Sequence, residues 1–218
     1  MKLNINEVFR RIKWLIIPYL VILCICLIIK LIYTRDTIYF TVNAINNPVA
    51  DFLAPFVTDL GNGWFAVIIA AILALFSYRK ALLVITSWGI TAIVAQILKF
   101  IFDAPRPKLY FKEQLKRIHF VKAVDILSYH SFPSGHTVTA FSLAVLFTYW
   151  SRNRAWGPLF LLIAVMVGYS RMYLSEHFFE DVTAGSVIGV IVTVIWLYWL
   201  ENRKFIQRPK WQKGLLVN

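Results

Sequence analysis

Charge is scarce in this chain: Asp, Glu, Lys and Arg make up 16% of its 218 residues, against about a quarter in an ordinary soluble domain. Hydrophobic residues make up 59%. That balance excludes a water-soluble globule of usual composition. Acidic residues are the scarcer sign, 11 against 23 Lys and Arg, so the net charge is +12. Cysteine is nearly absent. Cys24 and Cys26 both lie in the first apolar run, two residues apart. On one helix they point to nearly opposite faces and do not readily bond to each other. They read as small apolar fillers and carry no information on redox compartment. Internal repeats and low-complexity tracts are missing as well.

Long apolar runs are what the chain has. They predict an all-α, polytopic membrane helical bundle forming a single membrane-embedded domain over 1–218. Six spans fit, roughly Trp14–Tyr33, Trp64–Tyr78, Ala81–Phe102, His136–Trp150, Gly157–Tyr173 and Val182–Leu200. Lys2, Arg10, Arg11 and Lys13 before the first run resemble a signal peptide. The run is long and no small-x-small cleavage site follows, so an uncleaved span is expected.

Six spans place both termini on one side. Thirteen Lys and Arg fall on that side and ten on the other, which favours cytoplasmic termini by a narrow margin. Most basic residues flank apolar runs, where they set topology and meet lipid headgroups, so no nucleic-acid partner is expected. The margin is narrow because one outward loop, Asp103 to Pro133, carries Arg106, Lys108, Lys112, Lys116, Arg117 and Lys122. Headgroup contact explains such a loop; so does an entrance that attracts an anionic substrate. Phe111, Leu115 and Ile118 recur at helical spacing, which predicts a short interfacial helix there. Asn46-Asn47-Pro48 and Gly61-Asn62-Gly63 are turn signals, and between them Val49, Phe52, Leu53 and Phe56 predict another.

Three polar clusters sit at span ends on the same predicted side. The first holds Lys99 and Arg106. Pro105 cannot continue a regular helix and Pro107 biases Arg106 toward an extended conformation. Taken alone, the two cations read as snorkelling anchors. The second is Pro133-Ser134-Gly135-His136, which opens the fourth span. Ser134 suits a helix N-cap, Gly135 permits close approach of a ligand, and free N–H groups at a helix start favour an anion. The third is Ser170 to Asp181, SRMYLSEHFFED. His177 and Asp181 share a face if helical, so the carboxylate can fix the imidazole tautomer. Each cluster alone has an ordinary structural explanation. His177, Glu180 and Asp181 also crowd together as metal ligands do.

In order and spacing, the three clusters together resemble the tripartite signature of the type 2 phosphatidic acid phosphatase superfamily, the lipid phosphate phosphatases. The resemblance implies a six-span membrane phosphatase acting through a phosphohistidine, with no metal or other cofactor. His177 would be the nucleophile, Asp181 its orienting acid, and His136 the general acid and base. Lys99, Arg106, Ser134, Gly135 and Arg171 would hold the phosphate oxygens. Substrates in that superfamily include undecaprenyl diphosphate, phosphatidylglycerophosphate, phosphatidic acid and lipid A. The resemblance places the chain in the inner membrane with the site on the extracytoplasmic side, and leaves the oligomeric state open. A phosphotransferase using the same site is the alternative. A transporter is a third reading, opposed by charges gathered at span ends rather than at mid-depth. Glu176, His119, His130, Asp51 and Asp59 fall outside the signature and read as hydrogen-bonded or solvated groups.

Overall fold

The computed structural model describes residues 3–122, 124–153 and 155–216, and the regular structure among them is helical. Lys2 and Arg154, both counted in the charge comparison above, lie outside the described residues. The elements are α1 (Ile5–Ile32), α2 (Arg35–Ala44), α3 (Pro48–Asp59), α4 (Gly63–Phe76), α5 (Tyr78–Phe102), α6 (Pro107–Tyr110), α7 (Gly135–Trp150), α8 (Trp156–Tyr173), α9 (Phe179–Glu201) and α10 (Pro209–Gln212).

The turn signals act as the sequence predicts. The Asn47 side chain accepts from the Ala50 N–H at 2.9 Å, with Pro48 at the first helical position of α3. Asn62 accepts from Trp64 N–H at 3.1 Å and starts α4. Side-chain oxygens there replace carbonyls that a helix start lacks. Val49, Phe52, Leu53 and Phe56 of α3 are all exposed, as an apolar face laid against lipid requires.

The central helix is α7. It packs against α1, α5, α8 and α9. Twelve of its sixteen residues are buried, so it needs no polar face. Leu143, Val145 and Leu146 join Val8, Ile12 and Leu15 of α1, Leu161 and Val167 of α8, and Val194 and Leu197 of α9 in one core. Lipid tails are as apolar as these side chains, so contact packing and interhelical hydrogen bonds hold such a bundle. Thr193 donates to Ser142 at 2.7 Å between α9 and α7, and the Trp196 indole donates to Thr86 at 2.9 Å between α9 and α5.

Among the described residues, three helices are long and apolar enough to cross a membrane, namely α1, α5 with its continuation to Tyr110, and α9. A fourth is added if α3 and α4, bent by 54° at their junction, count as one broken span. This is fewer than the six spans expected. Helices stand where all six were placed, but α7 has only 16 residues, about 24 Å at 1.5 Å per residue, short of a hydrocarbon core of about 30 Å. The 18 residues of α8 end in the polar Ser170-Arg171 turn.

The basic loop also departs from expectation. Phe111, Leu115 and Ile118 do not share one helical face. Among its described residues the loop holds only the single turn α6 and a 3-10 turn, Leu115–Arg117. Phe111 and Ile118 are buried with Tyr39 and Phe178, while Leu115 is exposed. Their spacing reflects burial in a folded loop. His119 fastens that loop to α3 through Asp51 at 2.9 Å.

The two ends of the bundle differ. At one end Leu3 N–H bonds Asn202 Oδ1 at 2.8 Å, Arg79 pairs with Glu201, and Leu216 N–H bonds Leu75 O at 2.8 Å. Both terminal segments therefore meet there. The other end gathers the close of α5, the start of α7, the close of α8 and the start of α9.

Candidate active site

At that second end, Lys99 lies in the last turn of α5. Asp103 ends the helix in the left-handed region, at φ 36°. Arg106 follows in extended backbone, φ −80° and ψ 165°, as the residue before Pro107 is expected to be. Its N–H bonds Ser128 O at 2.8 Å and its Nε bonds Tyr129 O at 2.9 Å. Arg106 is 4% exposed, so it is built into the protein and does not snorkel.

Ser134 and Gly135 open α7. The Ser134 hydroxyl accepts from Thr137 at 2.9 Å and makes no capping bond, contrary to the N-cap role expected of it. The first N–H groups of a helix have no partner within it, and here the cap hydroxyl leaves them so. A Cβ built on Gly135 would find only Lys99 Nζ, at 3.9 Å. The backbone there faces open space beneath a cation. A cavity of about 210 Å³ adjoins it, lined by Gly61, Trp88, Gln96, Lys99, Gly135 and His136.

Arg171 closes α8, buried, with Nη1 donating to Thr58 at 2.9 Å. The chain then turns through Ser175, at φ 58°, and delivers His177 just ahead of α9. His177 and Asp181 are therefore not successive turns of one helix. Asp181 sits in the first turn of α9, where its carboxylate accepts from the Phe178 N–H at 2.8 Å. The same oxygen accepts from the Ser131 hydroxyl at 2.5 Å and lies 3.5 Å from His177 Nδ1. That last distance is beyond a hydrogen bond.

Burial holds the His177 imidazole well below its ordinary protonation range. Arg106, Arg171 and Lys99 push the same way. Its neutral form, with a nitrogen lone pair, is the stable one. The start of α9 is pressed onto the start of α7: Ser134 N–H bonds Asp181 O at 3.0 Å, and a Cβ on Gly185 would lie 2.8 Å from Ser134 O. Only a residue without a side chain lets these helices approach so closely.

The structure thus gathers Lys99, Arg106, Ser134, Gly135, His136, Arg171, His177 and Asp181 at one end of the bundle. Three residues of the site carried no recognised signal. Ser131 holds Asp181, Thr58 holds Arg171, and Glu176 is ion-paired with Arg106 and 3.3 Å from Arg171. Glu176, beside His177, and Ser131, two residues before Pro133, stand next to motifs; Thr58 does not. Glu180 turns away to Arg35 at 2.5 Å and Lys30 at 3.4 Å, so it does not join His177 and Asp181 as a ligand set. His130 lies on the outer side of Lys99, 3.3 Å from its carbonyl and 3.2 Å from Asp103.

An apolar helical bundle with membrane-length helices, carrying buried cations at one end, is an integral membrane protein. Residues 80–205 match the PAP2 superfamily, and the chain belongs to it. It is 27% identical over 186 residues to the undecaprenyl-diphosphatase of Sulfolobus acidocaldarius, covering 81% of this chain and 85% of that one. Its fold matches the crystal structure of Aquifex aeolicus LpxE with a TM-score of 0.64 and 27% identity, over 73% of this chain and 92% of that one. It also matches the transmembrane PAP2-type phosphatidylglycerolphosphate phosphatase of Bacillus subtilis, with a TM-score of 0.64 and 24% identity, over 90% and 99% of the two chains. The last likeness speaks to the fold alone.

Proposed function

We propose that the protein is a metal-independent lipid phosphatase that hydrolyses a phosphate monoester or diphosphate through a phosphohistidine. The observation that carries this reading is the convergence of Lys99, Arg106 and Arg171 on a neutral, buried His177. A phosphoryl group in transfer spreads negative charge over three oxygens, so catalysis is mainly positioning and electrostatic stabilisation. Three fixed cations and the free N–H groups at the start of α7 supply both. The same cations would repel a metal ion.

In this mechanism His177 attacks phosphorus through Nε2, since Nδ1 faces Asp181. An N–P bond forms as the bond to the lipid oxygen breaks, and His136 gives that oxygen a proton. Water then attacks the phosphohistidine while His136 takes its proton back, and orthophosphate leaves. Asp181, held by Ser131 and the Phe178 N–H, stabilises the charge that develops on His177.

The lipid enters from the bilayer. An apolar cleft of about 490 Å³ between α1, α5 and α9, lined by Leu27, Leu98, Phe132, Phe179 and Val187, suits a hydrocarbon chain. The basic loop favours a strongly anionic headgroup, a diphosphate or lipid A. A relative that is an undecaprenyl-diphosphatase agrees with a diphosphate. We read six spans, with α7 crossing as an internal helix shielded by its neighbours and α8 presenting Leu159, Leu162, Ile163 and Met166 to lipid. The termini are then cytoplasmic and the site lies on the outer face of the inner membrane.

The test is a substrate panel of undecaprenyl diphosphate, phosphatidylglycerophosphate, phosphatidic acid and lipid A, with purified protein and EDTA. Phosphate release that persists in EDTA is expected; release that requires an added metal overturns the mechanism. Labelled phosphate recovered on a second lipid would make the enzyme a phosphotransferase.

A further inference from the structure

The site contains an anion of the protein's own. Glu176 immediately precedes His177, and its side chain is 5% exposed. One carboxylate oxygen, Oε2, is ion-paired with Arg106 Nη1 and lies 3.3 Å from Arg171 Nη2. Arg106 spends its Nε on Tyr129 O, and Arg171 spends its Nη1 on Thr58, so both guanidinium groups are anchored from behind. Arg171 Nε has no partner among the described residues. The N–H donors that meet Glu176 are thus the ones the two arginines turn inward. A guanidinium fork presents the same geometry to a carboxylate and to a phosphate.

We propose that Glu176 is a positioning residue that also competes with the substrate: it holds Arg106 and Arg171 side by side, and a phosphoryl group must displace its carboxylate. The proposal rests on the phosphatase reading of the site. Asp181 is engaged by Ser131 and the Phe178 N–H, and Glu176 is the carboxylate that pairs directly with Arg106 and Arg171. Without its charge, the pocket would hold orthophosphate more tightly. The exchange breaks no covalent bond. It offsets part of the attraction between three cations and the product, which speeds product release.

A purely structural role predicts the opposite sign. If Glu176 only aligned the arginines, its loss would loosen the clamp and weaken phosphate binding. The experiment measures orthophosphate affinity of the full chain in detergent by calorimetry, for wild type and Glu176→Gln. The variant keeps the volume and one acceptor but not the charge. Affinity should rise about tenfold, the scale of one charge removed from a shielded site. With lipid substrate, KM and kcat should fall together, leaving kcat/KM within about threefold. Unchanged or weaker orthophosphate binding overturns the proposal. If Glu176→Gln does not fold, Glu176→Asp replaces it: drawn back by one methylene, it should also bind orthophosphate more tightly, by a few-fold, and weaker binding again overturns the idea. Wild-type protein that binds orthophosphate yet releases none from any lipid would instead overturn the phosphatase reading. The two failures are therefore distinguishable.

Discussion

His177 is the residue whose surroundings say most. It is 1% exposed and lies among cations, so protonation is costly in the folded state and easy in the unfolded chain, where it occurs near the ordinary value of about 6.5. The unfolded state binds more protons below that pH. Its stabilising contribution is therefore complete above about pH 6.5 and is lost as the pH falls below it. Thermal unfolding in detergent at pH 8 and pH 5 should show a larger fall in midpoint for wild type than for His177→Gln. Equal falls would mean that His177 is not held neutral. Ser131 is the supporting residue. Ser131→Ala removes the donor to Asp181 Oδ2 and should lower kcat about tenfold with little change in KM, as expected of a group that acts through the nucleophile's partner. His136→Ala should lower phosphate release by roughly 10²- to 10⁴-fold, the usual worth of acid–base assistance. How much of this was legible depended on spacing. Lys99, Arg106, Ser134, Gly135, His136, Arg171, His177 and Asp181 could all be picked out because they fall in short motifs. Thr58 could not, since it reaches Arg171 through the fold from 113 residues away, and Ser131, though two residues before Pro133, has a partner, Asp181, that lies 50 residues on and only the fold shows.

At the scale of elements, the site depends on how α9 meets α7. Gly185 sets that distance, because any side chain there points at the Ser134 carbonyl, which is backbone and cannot swing aside. Gly185→Val should push the start of α9 outward, cost several kcal/mol of stability by overpacking and reduce activity, whereas Gly135→Ala, whose added methyl meets open space beside Lys99, should spare stability and reduce activity only by taking room from the phosphate. Thermal midpoints and phosphate release of the two variants check this. If Gly185→Val keeps wild-type activity, the helix contact does not position the site. Helix positions were readable from apolar runs and from Asn47-Pro48 and Asn62-Gly63. The loop from Asp103 to Pro133 was misread as holding an interfacial helix. Periodicity cannot distinguish a helical face from Phe111 and Ile118 folding separately onto Tyr39 and Phe178. The expected helical pairing of His177 with Asp181 failed for a related reason: the chain turns at Ser175 and the helix starts only after His177.

For the whole molecule, the site lies at the end of the bundle away from both terminal segments. The membrane sidedness proposed above follows if those segments are cytoplasmic. A cysteine introduced at exposed Lys108 should react with an impermeant thiol reagent from outside intact cells, and one at exposed Lys204 should not; the reverse pattern would invert the topology. The apolar surfaces of α1, α5 and α9 were evident from composition, but their count was not. A 16-residue helix buried on most sides reads in sequence like a span, and only its packing shows that its neighbours shield it. The central claim is covalent chemistry at His177. Its most direct test is rapid acid-free quenching of the enzyme after mixing with lipid substrate labelled at the reacting phosphate. The account predicts labelled protein with the acid-labile, base-stable behaviour of a phosphohistidine, absent from His177→Gln. Label that persists in His177→Gln, or steady phosphate release by that variant at the wild-type rate, would contradict it.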